Sequence, residues 1–290
     1  MLKTLETNEA TVSKEMVSFL THTLNNCFGT VPSTLRDIIE RLSPEYEQKT
    51  KLLNELASLL TTFSMINTLT KTFRLYVANQ RRFEMSWHQD NQGGKGNLEL
   101  VLALALRHAV SSILFSPVDE VERRLPSGTQ INIKVLRESF MDEVMVLELD
   151  NNNANQVFQW LTQNLNLFSL ALEKTSALQF KSNGIRFTFL FAILSELIAN
   201  ALKYSNGEEQ IAVIWRMTQD YYEFTIRNPF NPEKRHEEDS TQKGLLFVKE
   251  LMNRLNQSTI EHGEENNLFT VKLAFHKTNF EDNTHANIVN

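Results

Sequence analysis

At 290 residues the chain exceeds the roughly 100–200 residues of a usual domain, so two packed units plus a connecting region are expected. Hydrophobic residues at 41% and charged residues at 22% are ordinary for a globular protein, and a formal net charge of -6 gives no electrostatic case for binding nucleic acid or an anionic membrane. A single cysteine, Cys27, excludes an intrachain disulfide framework and a multi-cysteine metal site, and it suits a reducing, cytoplasmic compartment. The opening residues lack the apolar stretch of a secretory signal. Apolar windows elsewhere are broken by Arg107 and His108 or by Glu196 before the roughly 20 residues that span a bilayer, so no membrane segment is expected.

From Met16 the residues Met16, Leu20, Leu24, Cys27, Val31, Leu35, Ile38 and Leu42 recur at steps of three or four, the seam of a long amphipathic helix. Ser43-Pro44 ends it and starts a second helix with the stripe Leu52, Leu56, Leu59, Phe63, Ile66, Leu69 and Phe73. Two such seams cannot be buried against each other alone, so a homodimer whose hairpins form a four-helix bundle is expected, the alternative being packing on the same chain.

Asp90 to Asn97 is polar and holds three of the nine glycines, which marks a loop or linker. Leu98 to Phe115 has a helical pattern. A turn at Pro126-Ser127-Gly128 leads into Gln130 to Leu136, whose alternation suits a strand, and Met145 to Leu149 is a second candidate strand. Helices are expected from Gln156 to about Ala177 and from about Phe187 to Lys203, the latter closed by Asn206-Gly207. Strands Ile211 to Arg216 and Tyr221 to Arg227 follow, then a helix from Gly244 to Asn256, a last strand from Leu268 to Phe275, and a polar tail after His276. That order implies an α/β sandwich with a largely antiparallel sheet.

Glu196, Asn200 and Lys203 fall at i, i+4 and i+7 of the second of those long helices, so they share one face, while Leu194, Leu197, Ile198, Ala201 and Leu202 cover the other. Periodicity alone describes the solvated face of any amphipathic helix. The residue types go further: a carboxylate, an amide oxygen and an ammonium together suit a magnesium–triphosphate site. Glu-x-x-x-Asn-Ala-x-Lys-Tyr-Ser at 196–205 resembles the N box of the histidine-kinase ATPase superfamily. That resemblance implies an ATP site in which Asn200 chelates Mg²⁺, Glu196 and Lys203 serve the phosphates, and Tyr204 lies by the nucleotide.

Lys243-Gly244-Leu245-Leu246 resembles the second glycine box of that superfamily, where Gly244 and Leu245 would let backbone amides approach phosphate, although Gln242 stands at the first glycine position. Asn228, after the strand at 222–227, stands where the family carries its adenine-reading aspartate, and its carbonyl can accept from the exocyclic amine. A Pro-containing turn is the plainer account of Asn228-Pro229. His22 lies roughly opposite the seam of the first helix and so faces solvent, where a neutral imidazole is nucleophilic near neutral pH. The hairpin resembles a dimerisation and phosphotransfer domain, which implies that His22 is the phosphoacceptor and that Asn26 positions water for dephosphorylation of a partner. Thr23 replaces the usual acidic neighbour of that histidine.

The expected protein is therefore α+β: an N-terminal helical hairpin (1–80) forming a dimeric four-helix bundle, a connecting or inserted region (81–177), an α/β sandwich of the histidine-kinase ATPase type (178–276) and a flexible tail (277–290). Its expected function is a soluble histidine kinase of a two-component system that uses ATP and Mg²⁺ and passes the phosphoryl group to the receiver domain of a response regulator. The alternatives are a non-catalytic phosphotransfer or scaffold protein and a serine kinase or anti-sigma-type ATPase of the same superfamily.

Overall fold

The computed structural model describes residues 80–90, 96–116, 121–122, 132–145, 147, 149–181, 184–230 and 243–281. The predicted hairpin, with His22 and Asn26, lies outside them. In chain order the elements are α1 (Gln80–Gln89), β1 (Gly96–Asn97), α2 (Leu98–Leu114), α3 (Ile133–Phe140), a π-helical turn (Met141–Met145) and α4 (Ala154–Asn164). Next come β2 (Phe168–Leu172), β3 (Gln179–Phe180), α5 (Ile185–Tyr204), β4 (Ile211–Met217), β5 (Tyr221–Pro229), α6 (Lys243–Met252), β6 (Thr259–Glu265), β7 (Leu268–His276) and a 3₁₀ turn (Lys277–Asn279).

Five strands form one sheet in the order β2-β4-β5-β7-β6, with β2 parallel to β4 and every other pair antiparallel. Trp215, Phe224, Ile226, Val271, Leu273 and Phe275 are buried on its inner face, beneath a helical layer in which α2 packs along α5. The mixed α+β character and the α/β sandwich are as expected. The 20 residues of α5 are long and apolar enough to cross a membrane, but 83% of an 18-residue window within it is buried inside the protein, as in a central core helix.

Several local expectations are corrected. The expected strand at 130–136 is instead helix α3, because the Asn132 side chain accepts from the amides of Lys134 and Val135 and caps it, and Ile133, Leu136 and Phe140 then bury one helical face. The expected strand at 145–149 is replaced by the π turn and irregular chain. Buried Arg107 donates from Nη1 to the carbonyls of Val144 (3.4 Å) and Leu147 (2.9 Å), which a ladder partner would otherwise take. The long helix expected at 156–177 stops at Asn164: Asn166 takes a left-handed φ of 48°, and Phe168, Leu170 and Leu172 turn toward the core as strand β2.

Strand β6 adds an edge that periodicity did not show. It pairs with β7 through Asn266 and Asn267, at φ 51° and 61°, the tight-turn geometry that suits hairpins. The polar tail begins later than expected, since Asn279 and Phe280 are each 8% exposed and pack against the domain.

His108 on α2 sits 6.0 Å from the Phe191 ring, and burial, helped by the charge of Arg107, holds its imidazole down to about 4. Its folded pKa lies below the unfolded value, so the stability it contributes is complete above about 6.5 and drains away as pH falls toward 4. Full conversion would amount to about 3 kcal/mol, less what its partly exposed edge recovers from water. Asp90 and Glu196, both raised by burial, work in the opposite sense and gain stability on protonation. Urea unfolding of His108→Phe should show a clearly shallower loss of stability between about pH 6.5 and 4 than the wild type, and parallel curves would contradict this assignment.

Candidate functional site

Helix α5 is buried on every side through its first three turns, because it runs between α2 and the sheet. From Glu196 onward one stripe emerges: Glu196, Ala199, Asn200, Lys203 and Tyr204 are half-buried, while Leu197, Ile198, Ala201 and Leu202 stay in the core. The face predicted from spacing is thus an interface rather than bulk-exposed surface.

Asn200 Nδ2 donates to Glu196 Oε1 at 2.9 Å, one turn apart. This bond fixes both side chains and uses the amide nitrogen, leaving the amide oxygen as the atom with cation-ligating character. Burial pushes the Glu196 carboxyl up, and the Asn200 hydrogen bond and the Lys203 charge pull it back. Since Glu196 keeps some exposed surface, the net rise is smaller than complete burial would give. Lys203 extends its ammonium 5.0 Å over the Tyr204 ring, so these two neighbours form one cationic, aromatic corner at the end of the helix.

The first turn of α6 closes against that stripe. A Cβ built at Gly244 would lie 1.8 Å from Glu196 Oε1 and 2.8 Å from Asn200 Nδ2, so only glycine permits this approach. The structure therefore brings together Glu196, Asn200 and Gly244, three residues 44 or more positions apart or on separate turns, with half-buried Leu245 next to them. Gly244→Ala collides with the end of a flexible side chain rather than with backbone, so it should cost only about 1–3 kcal/mol of stability. Its larger effect should be functional: pushing Glu196 off Asn200 is expected to cut any phosphoryl transfer by about tenfold or more. Denaturation and a transfer assay on the same preparation check both figures, and an unchanged transfer rate would argue against a role for this contact.

Asn228 stands on the inner face of β5, opposite Phe269, and is 2% exposed. Its Oδ1 is buried with no hydrogen-bond partner among the described residues. An orphaned acceptor of this kind is costly, and Ser195 Oγ and Trp215 Nε1 in the core are left the same way among the described residues. The Ser205–Phe230 bridge and the Asn206 amide, which donates to the Pro229 carbonyl at 2.9 Å, tie the end of β5 to the end of α5. Asn228 is in this way held at the same end of the domain as Tyr204.

A cavity of about 890 Å³ opens on the outer face of the sheet, bordered by Arg227, Thr270, Gly263 and the turns at 206–209 and 264–267. None of the expected ligand residues lines it. Its four glutamates, Glu208, Glu209, Glu264 and Glu265, oppose a triphosphate.

Sequence reading did not foresee how the start of α5 is held. The Asp90 carboxylate accepts from the Arg186 amide at 2.9 Å, a cap supplied from 96 residues away, and it fills the space where Gly184 would carry a Cβ.

No family model matches the sequence, and no curated protein matches it. Solved structures that resemble the chain include the histidine kinase AdeS of Acinetobacter baumannii, at 13% identity over 88% of this chain and 97% of that one, with a TM-score of 0.34. A histidine kinase domain from the blue-light-activated kinase EL346 of Erythrobacter litoralis matches at 12% identity over 63% and 99%, with a TM-score of 0.32. Full-length ShkA in complex with AMPPNP matches at 12% identity over 90% of this chain and 45% of that one, with a TM-score of 0.37. All three TM-scores are under 0.5, a level at which likeness fixes neither fold nor activity, so the assignment of the site rests on its residues.

Proposed function

We propose that the chain is a histidine kinase of a two-component system, binding ATP with Mg²⁺ at the outer edge of the junction where the start of α6 meets α5. The observation that carries this reading is the Glu196–Asn200–Gly244 junction: a hydrogen-bonded carboxylate and amide facing the amino end of a helix, where backbone amides and the helix dipole favour phosphate. The orphaned Oδ1 of Asn228 supports it independently, as an acceptor for the adenine amine.

In this reading the Asn200 oxygen is the protein's ligand to the metal, and Lys203 neutralises phosphate charge. Glu196 holds the Asn200 amide in place and orients the attacking group. Tyr204 flanks the nucleotide, and the amides of Gly244 and Leu245 hold phosphate oxygens. Bound ATP supplies the phosphoryl group, with Mg²⁺ balancing its charge. His22 would accept that group on a ring nitrogen, ADP leaving, and pass it to an aspartate of a response regulator's receiver domain, and Asn26 would position a water for the separate hydrolysis of that phosphoaspartate to inorganic phosphate. The four-helix bundle of a homodimer, formed by residues 1–80, would present His22, and the protein would work in the cytoplasm without membrane or nucleic acid.

The close packing of Gly244 on Glu196 also suits a scaffold that keeps the fold without nucleotide chemistry. Incubation with γ-labelled ATP separates the two. Acid-labile, alkali-stable label on the wild type that is lost in His22→Ala supports the kinase, whereas an unlabelled wild type that still binds a receiver domain supports the scaffold.

A further inference from the structure

Helix α6 is gripped at both ends, and the two grips belong to different elements. Its start lies against Glu196 and Asn200 of α5. Its end continues through Asn253 and Arg254, whose amides donate to the carbonyls of Lys249 (2.9 Å) and Leu251 (3.0 Å), and here α1 takes hold. Gln80 Nε2 donates to the Arg254 carbonyl at 3.2 Å, and the Arg254 guanidinium lies 5.7 Å over the Phe83 ring.

The other end of α1 is fastened to the first turn of α5 and to the C-terminal 3₁₀ turn. Trp87 Nε1 donates to the Asn279 carbonyl at 2.6 Å, and Arg186 donates from Nε to the Trp87 carbonyl (3.3 Å) and from Nη1 to the Phe280 carbonyl (3.0 Å). Phe83, Trp87, Phe189 and Phe280 stack around these bonds with centroids 5.0–6.0 Å apart where they meet. Helices α1, α5 and α6 therefore form a closed triangle whose third corner is the Gly244–Glu196 contact. A packed triangle of stiff rods cannot change one corner alone.

We infer that α1 is a coupling lever: its grip on Arg254 sets how tightly the start of α6 closes on Glu196 and Asn200, so displacing α1 opens that junction at a distance. The mechanical part stands on contacts alone, and only its effect on nucleotide rests on the function proposed above.

The test is hydrogen exchange on the full chain, comparing the wild type with Gln80→Ala and with Gln80→Ala/Phe83→Leu, substitutions that lie in α1 and touch neither α5's polar stripe nor Gly244. Exchange at the Phe247 and Val248 amides, in the first full turn of α6, should accelerate about 3- to 10-fold, while the amides of β4 and β5 remain protected. The milder variant keeps the test usable if the double substitution unfolds the protein. Faster exchange throughout residues 80–89 with Phe247 and Val248 unchanged would overturn the lever. If Phe247 and Val248 accelerate but neither wild type nor variants bind Mg-ATP in parallel titrations, the lever stands and the nucleotide reading fails.

Discussion

Trp87→Ala should lower the unfolding free energy by about 3–5 kcal/mol, the range seen when a large aromatic side chain is removed from a core. Trp87 is 2% exposed and touches Phe83, Phe189, Phe280 and the Arg186 guanidinium at once. Few ways exist to refill that space, since every neighbour is itself held by a hydrogen bond or a second ring. Trp87→Phe keeps most of the packing and deletes only the donor to the Asn279 carbonyl, so it should cost about 1–2 kcal/mol, chiefly for the buried carbonyl left unpaired. Urea unfolding of the three proteins checks the order. Equal midpoints for Trp87→Ala and wild type would show that α1 contributes nothing to the domain's stability.

The second large effect is on function. Asn200→Ala should reduce the proposed ATP-dependent transfer by about 100-fold or more while changing the unfolding free energy by under about 1.5 kcal/mol. Asn200 is half-buried at the edge of the core, and its side chain bonds to Glu196 one turn away, so the fold loses little with it. The site loses the amide oxygen proposed as metal ligand, and the freed Glu196 carboxylate can turn toward incoming phosphate and repel it. A variant that transfers at the wild-type rate would remove Asn200 from the mechanism.

How far these features were legible differs by element. Helix α5 could be read almost to its ends, because its apolar run is too long for a strand and its last turns carry the polar stripe 196, 200, 203 at helical spacing. Strands β4 and β5 alternate buried and half-buried positions over most of their length, while β7 buries Leu273, Ala274 and Phe275 in succession. Strand β6, Thr-Ile-Glu-His-Gly-Glu-Glu, gives no such sign: it is an edge strand with one half-buried apolar side chain, and only the Asn266-Asn267 turn betrays it. Residues 130–136 misled because the short run Ile-Asn-Ile-Lys-Val-Leu alternates like a strand, while a single cap at Asn132 decides for helix. The contacts that define the site were invisible in principle. No local pattern says that Asp90 will cap α5, that Gly244 will rest on Glu196, or that the Asn228 oxygen will be buried without a partner. Composition and spacing identify candidate residues, and only the tertiary fold says which of them meet.

The central claim, that the Glu196–Asn200–Gly244 junction receives a magnesium-bound triphosphate, is tested most directly by calorimetric titration of the full chain with ATP in the presence and absence of Mg²⁺. Saturable binding that weakens by about tenfold or more when Mg²⁺ is chelated is the predicted result. No heat of binding at millimolar ATP, or binding of equal strength with and without the metal, would contradict it.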